Sequence, residues 1–138
     1  MPASLRILLV ESDPERAERV REALAEAGES DVVVFSGRRV LARDVAETMP
    51  DIVLVDIAHP SRDVLEELAQ ATRPMDRPVA MFVDRSDPAT TRAAIEAGVS
   101  AYVVDGLRAD RIRPILDAAV ARFHLFQRVR SELAATKA

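Results

Sequence analysis

The sequence predicts an α/β fold, in which helices cover both faces of a parallel β-sheet. Strand-like and helix-like segments alternate five times along the chain, which is the pattern of consecutive β-α units. The run Asp51–Asp56 (DIVLVD) is apolar at odd and even positions alike, as expected for a strand buried on both faces. A length of 138 residues fits a single domain whose core is large enough to need no cross-links.

The five predicted strands are short aliphatic or β-branched runs bounded by turn residues. They are, in chain order, Leu5–Val10, Asp31–Ser36, Asp51–Asp56, Pro78–Val83 and Ala101–Val104. Between the strands the apolar residues recur at helical spacing, as at Leu65 and Leu68, so the connections are predicted to be helices.

The predicted helices are recognised by their start and stop signals. Asp13-Pro14 and Asp87-Pro88 each place a capping residue before a proline at the first helical position. Glycine or proline ends most of these segments, because glycine reverses the chain and proline cannot continue a helix. The predicted helices run from Pro14 to about Ala27, over Gly37–Met49, over Ser61–Ala71, from Pro88 to about Gly98, and from about Arg108 to the end of the chain.

Composition excludes several classes of protein. The chain contains no cysteine, which rules out a disulfide scaffold and a thiolate metal site, and its two histidines lie far apart. No run approaches the ~18 apolar residues of a membrane helix, and we expect a cytoplasmic protein with no membrane partner. Residues 1–107 carry 20 acidic and 12 basic residues, which disfavours a nucleic-acid-binding body.

Acidic side chains follow several of the predicted strands. Ligands of doubly wound sheets bind outside the carboxyl ends of the strands. The polar and acidic residues expected there are Glu11, Ser12, Asp13, Asp56, Asp84 and Asp105. Carboxylates brought together raise one another's pKa unless a cation neutralises them, and Mg²⁺ with oxygen ligands is a natural neutraliser. A carboxylate beside such a metal can attack a phosphoryl donor to give an aspartyl phosphate.

A simpler interpretation is that Asp13 only caps the first helix and Asp56 only begins a loop. Other phosphate sites are excluded by their motifs, because the chain has four glycines and neither GxxxxGK[ST] nor GxGxxG. Asp56-Ile57-Ala58 also lacks the second aspartate of a dehalogenase-type phosphatase, and His59 is interpreted as a solvent-facing loop residue.

Residues 4–122 resemble the receiver domain of two-component response regulators. The most specific stretch is Pro50–Asp63, in which Asp56, Pro60 and Asp63 fit the family's spacing. The resemblance implies a flavodoxin-like, CheY-like sheet of order 2-1-3-4-5. It also implies that Asp56 is the phosphoacceptor, that Glu11, Asp56 and the Ala58 carbonyl hold Mg²⁺, and that Tyr102 is the switch aromatic.

Three positions depart from the family's pattern. Ser12 replaces one acid of the usual pair, Val83 replaces the Thr or Ser after strand 4, and Asp105 replaces the Lys after strand 5. Lys137 is the only lysine, so no shift of alignment restores the missing cation. These departures predict a degenerate site, with weak or altered phosphate chemistry.

The residue pattern of the last predicted helix indicates a connector to a further domain. Residues 97–107, 113–116 and 121–123 resemble the receivers of nitrate-regulatory antitermination proteins, in which an RNA-binding ANTAR domain follows. We therefore expect residues 1–122 to form the receiver and residues 123–138 to extend its last helix toward an effector domain that is missing here. The helix-spaced residues expected to form a dimer or connector seam are Phe123, Phe126, Val129 and Leu133. An ordinary final helix that frays after about Gln127 is the alternative.

The sequence thus predicts a non-enzymatic signal receiver. Its expected partners are a sensor histidine kinase or other signalling protein, a second copy of the chain, and RNA only through the effector domain. One alternative is a phosphorylation-independent interaction or dimerisation module. A small metal-dependent phosphatase is the less favoured alternative, because no general acid is identified.

Overall fold

The computed structural model describes residues 5–35, 37, 40–73, 77–105 and 108–137. Strands and helices alternate as the sequence predicts. The elements are β1 (Ile7–Val10), α1 (Pro14–Glu26), β2 (Val32–Phe35), α2 (Leu41–Thr48), β3 (Ile52–Ile57), α3 (Arg62–Thr72), β4 (Val79–Val83), α4 (Pro88–Glu96), β5 (Ala101–Val104) and α5 (Ala109–Lys137). The predicted end of the second strand, Ser36, and the predicted end of the last helix, Ala138, lie outside the described residues.

The five strands form one parallel sheet. Their order is β2-β1-β3-β4-β5, which confirms the predicted topology. The order reverses between β1 and β3, so the β1-α1 and β3-α3 loops diverge there and leave a crevice at the carboxyl edge of the sheet.

The core consists of two layers, one on each face of the sheet. On one face, Val20 and Leu24 of α1 and Leu116 of α5 pack against alternate residues of the central strands. On the other face, α2, α3 and α4 cover the remaining strand residues, with Val45 and Leu68 among the fully or nearly fully buried side chains. Burial on both faces explains why β3 and β4 contain almost no polar residue.

Side-chain caps begin three of the helices. Asp13 accepts a hydrogen bond from the Glu15 amide at 3.0 Å, Ser61 from Val64 at 3.2 Å, and Asp87 from Thr90 at 2.8 Å. A cap satisfies one of the amide groups that the first turn of a helix leaves unpaired. The capping interpretation of Asp13 is therefore confirmed.

Several predicted limits are wrong, among them the start of β1, which is Ile7 rather than Leu5. Helix α2 begins at Leu41 rather than Gly37, because Gly37 has a φ of 82° and the Val40 backbone is extended. Strand β3 continues through Ile57, so Asp56 lies inside the strand rather than at its last position. Helix α5 continues past Gln127 to Lys137, whereas the alternative prediction had the helix fraying there.

Among the helices of the described ranges, none has the length and apolar character of a membrane-spanning segment.

Candidate acidic site

Three predicted acidic residues lie together at the carboxyl edge of the sheet, and the alternation of side chains along a strand accounts for the position of Asp56. In β3, Ile52 and Leu54 face α1 and α5, and Asp56 continues that row. Asp84 follows β4 directly, and Asp105 follows β5 with a φ of 79°, so its backbone has already left the strand conformation. The three residues line one cleft of about 320 Å³ beside α1. The expected convergence of strand-end carboxylates is therefore observed on this side of the sheet.

Arg16 binds the central carboxylate of the cleft. It lies in the first turn of α1, and its Nε and Nη2 donate to the two oxygens of Asp56 at 2.7 and 3.0 Å. Nη2 also donates to Asp84 at 2.9 Å. Hydrogen bonds to Asp56 and then to Asp84 raise the pKa of Arg16, so the cation is permanent. The Asp56 side chain is 3% exposed, which makes this two-pronged pair largely desolvated.

Glu11 is a second buried carboxylate beside the pair. Its Oε1 accepts the Asp13 amide at 3.0 Å. Its Oε2 is buried with no hydrogen-bond partner among the described residues and lies 3.6 Å from Arg16 Nε. Burial is the main cause that raises the pKa of Glu11, with repulsion from Asp56 adding to it and the Asp13 amide opposing it. Arg16 is therefore the cation nearest to two buried carboxylates, those of Asp56 and Glu11.

The residues expected to hold Mg²⁺ do not fit the ion as they are arranged. Arg16 engages both oxygens of Asp56, and the Ala58 carbonyl accepts the amides of Asp84 and Arg85 at 3.1 and 3.3 Å. In the described part of the chain, no group of three or more acidic or histidine residues is placed to hold a metal. Binding of Mg²⁺ here would require Arg16 to leave Asp56.

A second cleft lies on the other side of Asp56. It has a volume of about 370 Å³ and is lined by Glu11, Ser12, Asp13 and Ala58 among others. Ser12 is exposed at its edge, and the Asp13 side chain is committed to its cap. The missing second acid is therefore not replaced by Asp13.

The two remaining pocket positions lie away from the carboxylates. Val83 is fully buried in the layer formed by α2, α3 and α4. Tyr102 is half-buried, and its hydroxyl lies 2.5 Å from the Ser86 hydroxyl, which also contacts Thr91 at 3.0 Å. Sequence reasoning missed Ser86, whose signal was a hydroxyl three residues beyond Val83. This hydroxyl holds the tyrosine rather than the acidic cluster.

The predicted seam residues are on the long helix. Phe126, Val129 and Leu133 are 65%, 46% and 57% exposed, whereas Phe123 is half-buried. Their spacing places them near one another on the helix surface. An exposed row of large apolar side chains is typical of a contact surface.

A family profile and several curated bacterial proteins match this chain. The profile described as "Response regulator receiver domain" matches residues 7–117. Transcriptional regulatory protein PdtaR from Mycobacterium tuberculosis is 26% identical over 130 residues, covering 94% of this chain and 63% of that protein. DNA-binding response regulator MtrA from Mycolicibacterium smegmatis is 28% identical over 99 residues, covering 72% and 43%. The chain spans about half the length of the curated relatives it matches.

Solved structures share the fold. The signal receiver domain of a modulated diguanylate cyclase from Desulfovibrio desulfuricans G20 superimposes with a TM-score of 0.74 at 22% identity, covering 89% of this chain and 98% of that one. A LuxR-family two-component response regulator from Aurantimonas sp. SI85-9A1 gives 0.71 at 23% identity, with 86% of each chain covered.

Proposed function

Because the chain belongs to the response regulator receiver domain family, we propose that it is a receiver whose output does not depend on phosphorylation of Asp56. In this proposal Arg16 takes the place of the cations that a phosphorylatable site needs, and contacts with other proteins set the signalling state. The observation that carries the proposal is the two-pronged ion pair between Arg16 and Asp56.

The ion pair opposes phosphoryl transfer to Asp56. Asp56 can attack a phosphoryl group only through a free carboxylate oxygen, and Arg16 donates to both oxygens. Breaking a buried pair costs about 3–5 kcal/mol. The Arg16 side chain is 27% exposed, so the lower end of that range applies. A cost of about 3 kcal/mol would slow the reaction on the order of 100-fold.

Two further positions support the same interpretation. Asp105 adds a negative charge to the cleft where the family has a lysine to stabilise phosphoryl oxygens. Val83 offers no hydroxyl that could follow a phosphoryl group, and the nearby Ser86 already binds Tyr102. Neither Val83 nor Ser86 is therefore available to connect phosphorylation of Asp56 with a movement of Tyr102.

Phosphoryl acceptance by Asp56 is the second candidate. It is favoured by the position of Asp56 between two clefts, from which a small phosphodonor could approach the carboxylate. In this case Mg²⁺ would be held by Glu11, Asp56 and Ala58 after Arg16 has moved away. A metal-dependent phosphatase has less support, because a metal would have to displace Arg16 from both oxygens of Asp56.

Intact mass after incubation with acetyl phosphate and Mg²⁺ separates these candidates. We expect no phosphoryl adduct on the wild type under conditions that label an ordinary receiver. Arg16→Gln frees the carboxylate, so we expect it to gain an adduct that disappears in the Arg16→Gln, Asp56→Asn double variant. Arg19→Gln is the matched control, since Arg19 is on the same helix and lines the same cleft.

Each other outcome contradicts part of the proposal. Labelling of the wild type at Asp56 would overturn it in favour of the phosphoacceptor. Failure of a folded Arg16→Gln variant to label would show that Arg16 is not the barrier. Release of phosphate from a generic ester, lost in Asp56→Asn, would identify a phosphatase.

For the output, we propose that residues 123–138 connect the receiver to an RNA-binding antitermination domain and pair with a second copy of the chain. The exposed row of Phe126, Val129 and Leu133 on a continuous helix supports this assignment. A sensor kinase or other signalling protein is the proposed input partner.

A further inference from the structure

A groove between α4, β5 and α5 is separate from the acidic site. It has a volume of about 690 Å³ and is bounded by the end of α3, the outer side of α4 and the α5 segment around Phe123 and Phe126. Small-molecule sites in proteins usually measure roughly 300–1,000 Å³. The groove therefore has the size of a site for a small ligand.

The lining of the groove is aromatic. The chain has only five aromatic residues, four Phe and one Tyr. Three of them, Tyr102, Phe123 and Phe126, line this groove, together with Ile95 and Val99. Flat apolar side chains gathered in one concave surface are suited to stacking against a planar ring.

The charge of the groove is positive although the chain carries −4 overall. Arg73, Arg77, Arg122 and Arg130 line it, and no acidic residue is among the described lining residues. Arg73 donates to the Glu96 carbonyl, and Arg122 to the Ser100 carbonyl at 2.6 Å. The two carbonyls orient the Arg73 and Arg122 guanidiniums without neutralising them, and each of these two keeps further N–H donors.

Arg77 brings a further guanidinium to the groove. Its Nε is buried and has no hydrogen-bond partner within the described ranges. A buried donor that is left unpaired costs roughly 1–3 kcal/mol. Guanidinium groups are well matched to phosphate oxygens, which could satisfy several donors at once.

From these observations we propose that the α4-β5-α5 groove binds a small phosphorylated ligand of the nucleotide class. The base packs against Phe123 and Phe126, and the phosphates bind the surrounding arginines. Phe126 also belongs to the row proposed to pair with a second copy of the chain, so the ligand and that copy would compete for this side chain. This site does not rest on the state of Asp56.

Calorimetric titration of the whole chain with ATP, adenosine and tripolyphosphate tests the proposal. The titrations are done with EDTA present, because the arginine groove needs no metal. We expect saturable binding of ATP, with adenosine and tripolyphosphate each binding at least tenfold more weakly, or about 1.4 kcal/mol. Asp56→Asn should bind ATP like the wild type, which separates this site from the proposed function of the acidic cluster.

Variants locate the site. Arg122→Gln should weaken ATP about tenfold, whereas Arg128→Gln, on the same helix but outside the groove, should not. Phe126→Leu should weaken ATP and leave tripolyphosphate unchanged, because only the base contacts the ring. No saturation with ATP by about 1 mM would overturn the proposal. Equal binding of ATP and tripolyphosphate, or displacement of ATP by a polyglutamate peptide, would also overturn it and indicate a bare anion or an acidic protein segment.

Discussion

The ion pair between Arg113 and Glu29 fastens the start of α5 to the body of the protein. Glu29 is one of the few buried charged residues, and its side chain is 2% exposed. Its Oε1 accepts Arg113 Nη1 at 2.6 Å, and its Oε2 accepts the Leu5 amide at 2.9 Å. Arg113 Nη2 also donates to the Ala27 carbonyl at 2.6 Å. This network joins α5 to the end of α1 and to Leu5, two residues before β1.

Replacing Arg113 by Met should be strongly destabilising. The carboxylate of Glu29 would keep the Leu5 amide but lose its counterion while remaining almost fully buried. Removing one partner of a buried pair costs about 3–5 kcal/mol. Arg113 is 42% exposed, so water can partly replace it and we expect about 3 kcal/mol. Glu29→Gln keeps the shape and one acceptor, and should cost about 1–2 kcal/mol.

Urea denaturation followed by circular dichroism measures these costs. With a slope of about 2 kcal/mol per molar, Arg113→Met should lower the midpoint by about 1.5 M. The double variant with Glu29→Gln should cost less than the sum of the single changes, because the buried charge is then absent. Arg108→Met, which removes only an exposed pair at 3.9 Å, is the control and should change stability by less than about 0.5 kcal/mol.

A small effect would refute this reasoning. If Arg113→Met lies within about 0.5 kcal/mol of the wild type, or if the two single costs add, the pair is not coupled. The start of α5 would then be held mainly by apolar packing, with Ile112 and Leu116 fully buried.

Two further predictions concern the acidic site and the long helix. The pKa of Glu11 is raised in the folded protein, so stability should fall as the pH rises from about 4.5 through the folded pKa; Glu11→Gln should remove this loss, and its advantage in urea denaturation should be larger at pH 7 than at pH 4. An unchanged difference at the two pH values would contradict this assignment. Leu133→Glu, outside the ligand groove, should convert a dimer to a monomer in size-exclusion chromatography with light scattering, whereas the same mass for both proteins would exclude this seam.

The sheet could be predicted closely because its signals are local. Residues 52–55 within the run Asp51–Asp56 are all apolar, and proline, glycine and aspartate separate the segments at the observed turns. The start of α2 could not be predicted from spacing. The apolar positions of that segment fit a helix from Gly37, but a left-handed glycine and an extended Val40 delay it by one turn.

The acidic site could be predicted only in part. The parallel topology brings Asp56, Asp84 and Asp105 to one edge of the sheet, which the sequence pattern anticipates. Which cation pairs with Asp56 depends on the direction in which the long Arg16 side chain crosses the crevice. The spacing of residues in the sequence does not determine that direction. One signal was available: Arg16 lies in the first turn of α1, where the helix dipole disfavours a cation. An unfavourable local placement indicates a compensating contact elsewhere.

The continuity of α5 has a mechanical consequence. The helix is anchored near Ile112 and Leu116 and runs to Lys137, with Pro114 inside its first turns. About 23 residues beyond Pro114 span about 35 Å at 1.5 Å per residue. A tilt of about 5° at that point would carry the far end about 3 Å. A small repacking at the root of the helix would therefore become a displacement the size of a side chain at its tip.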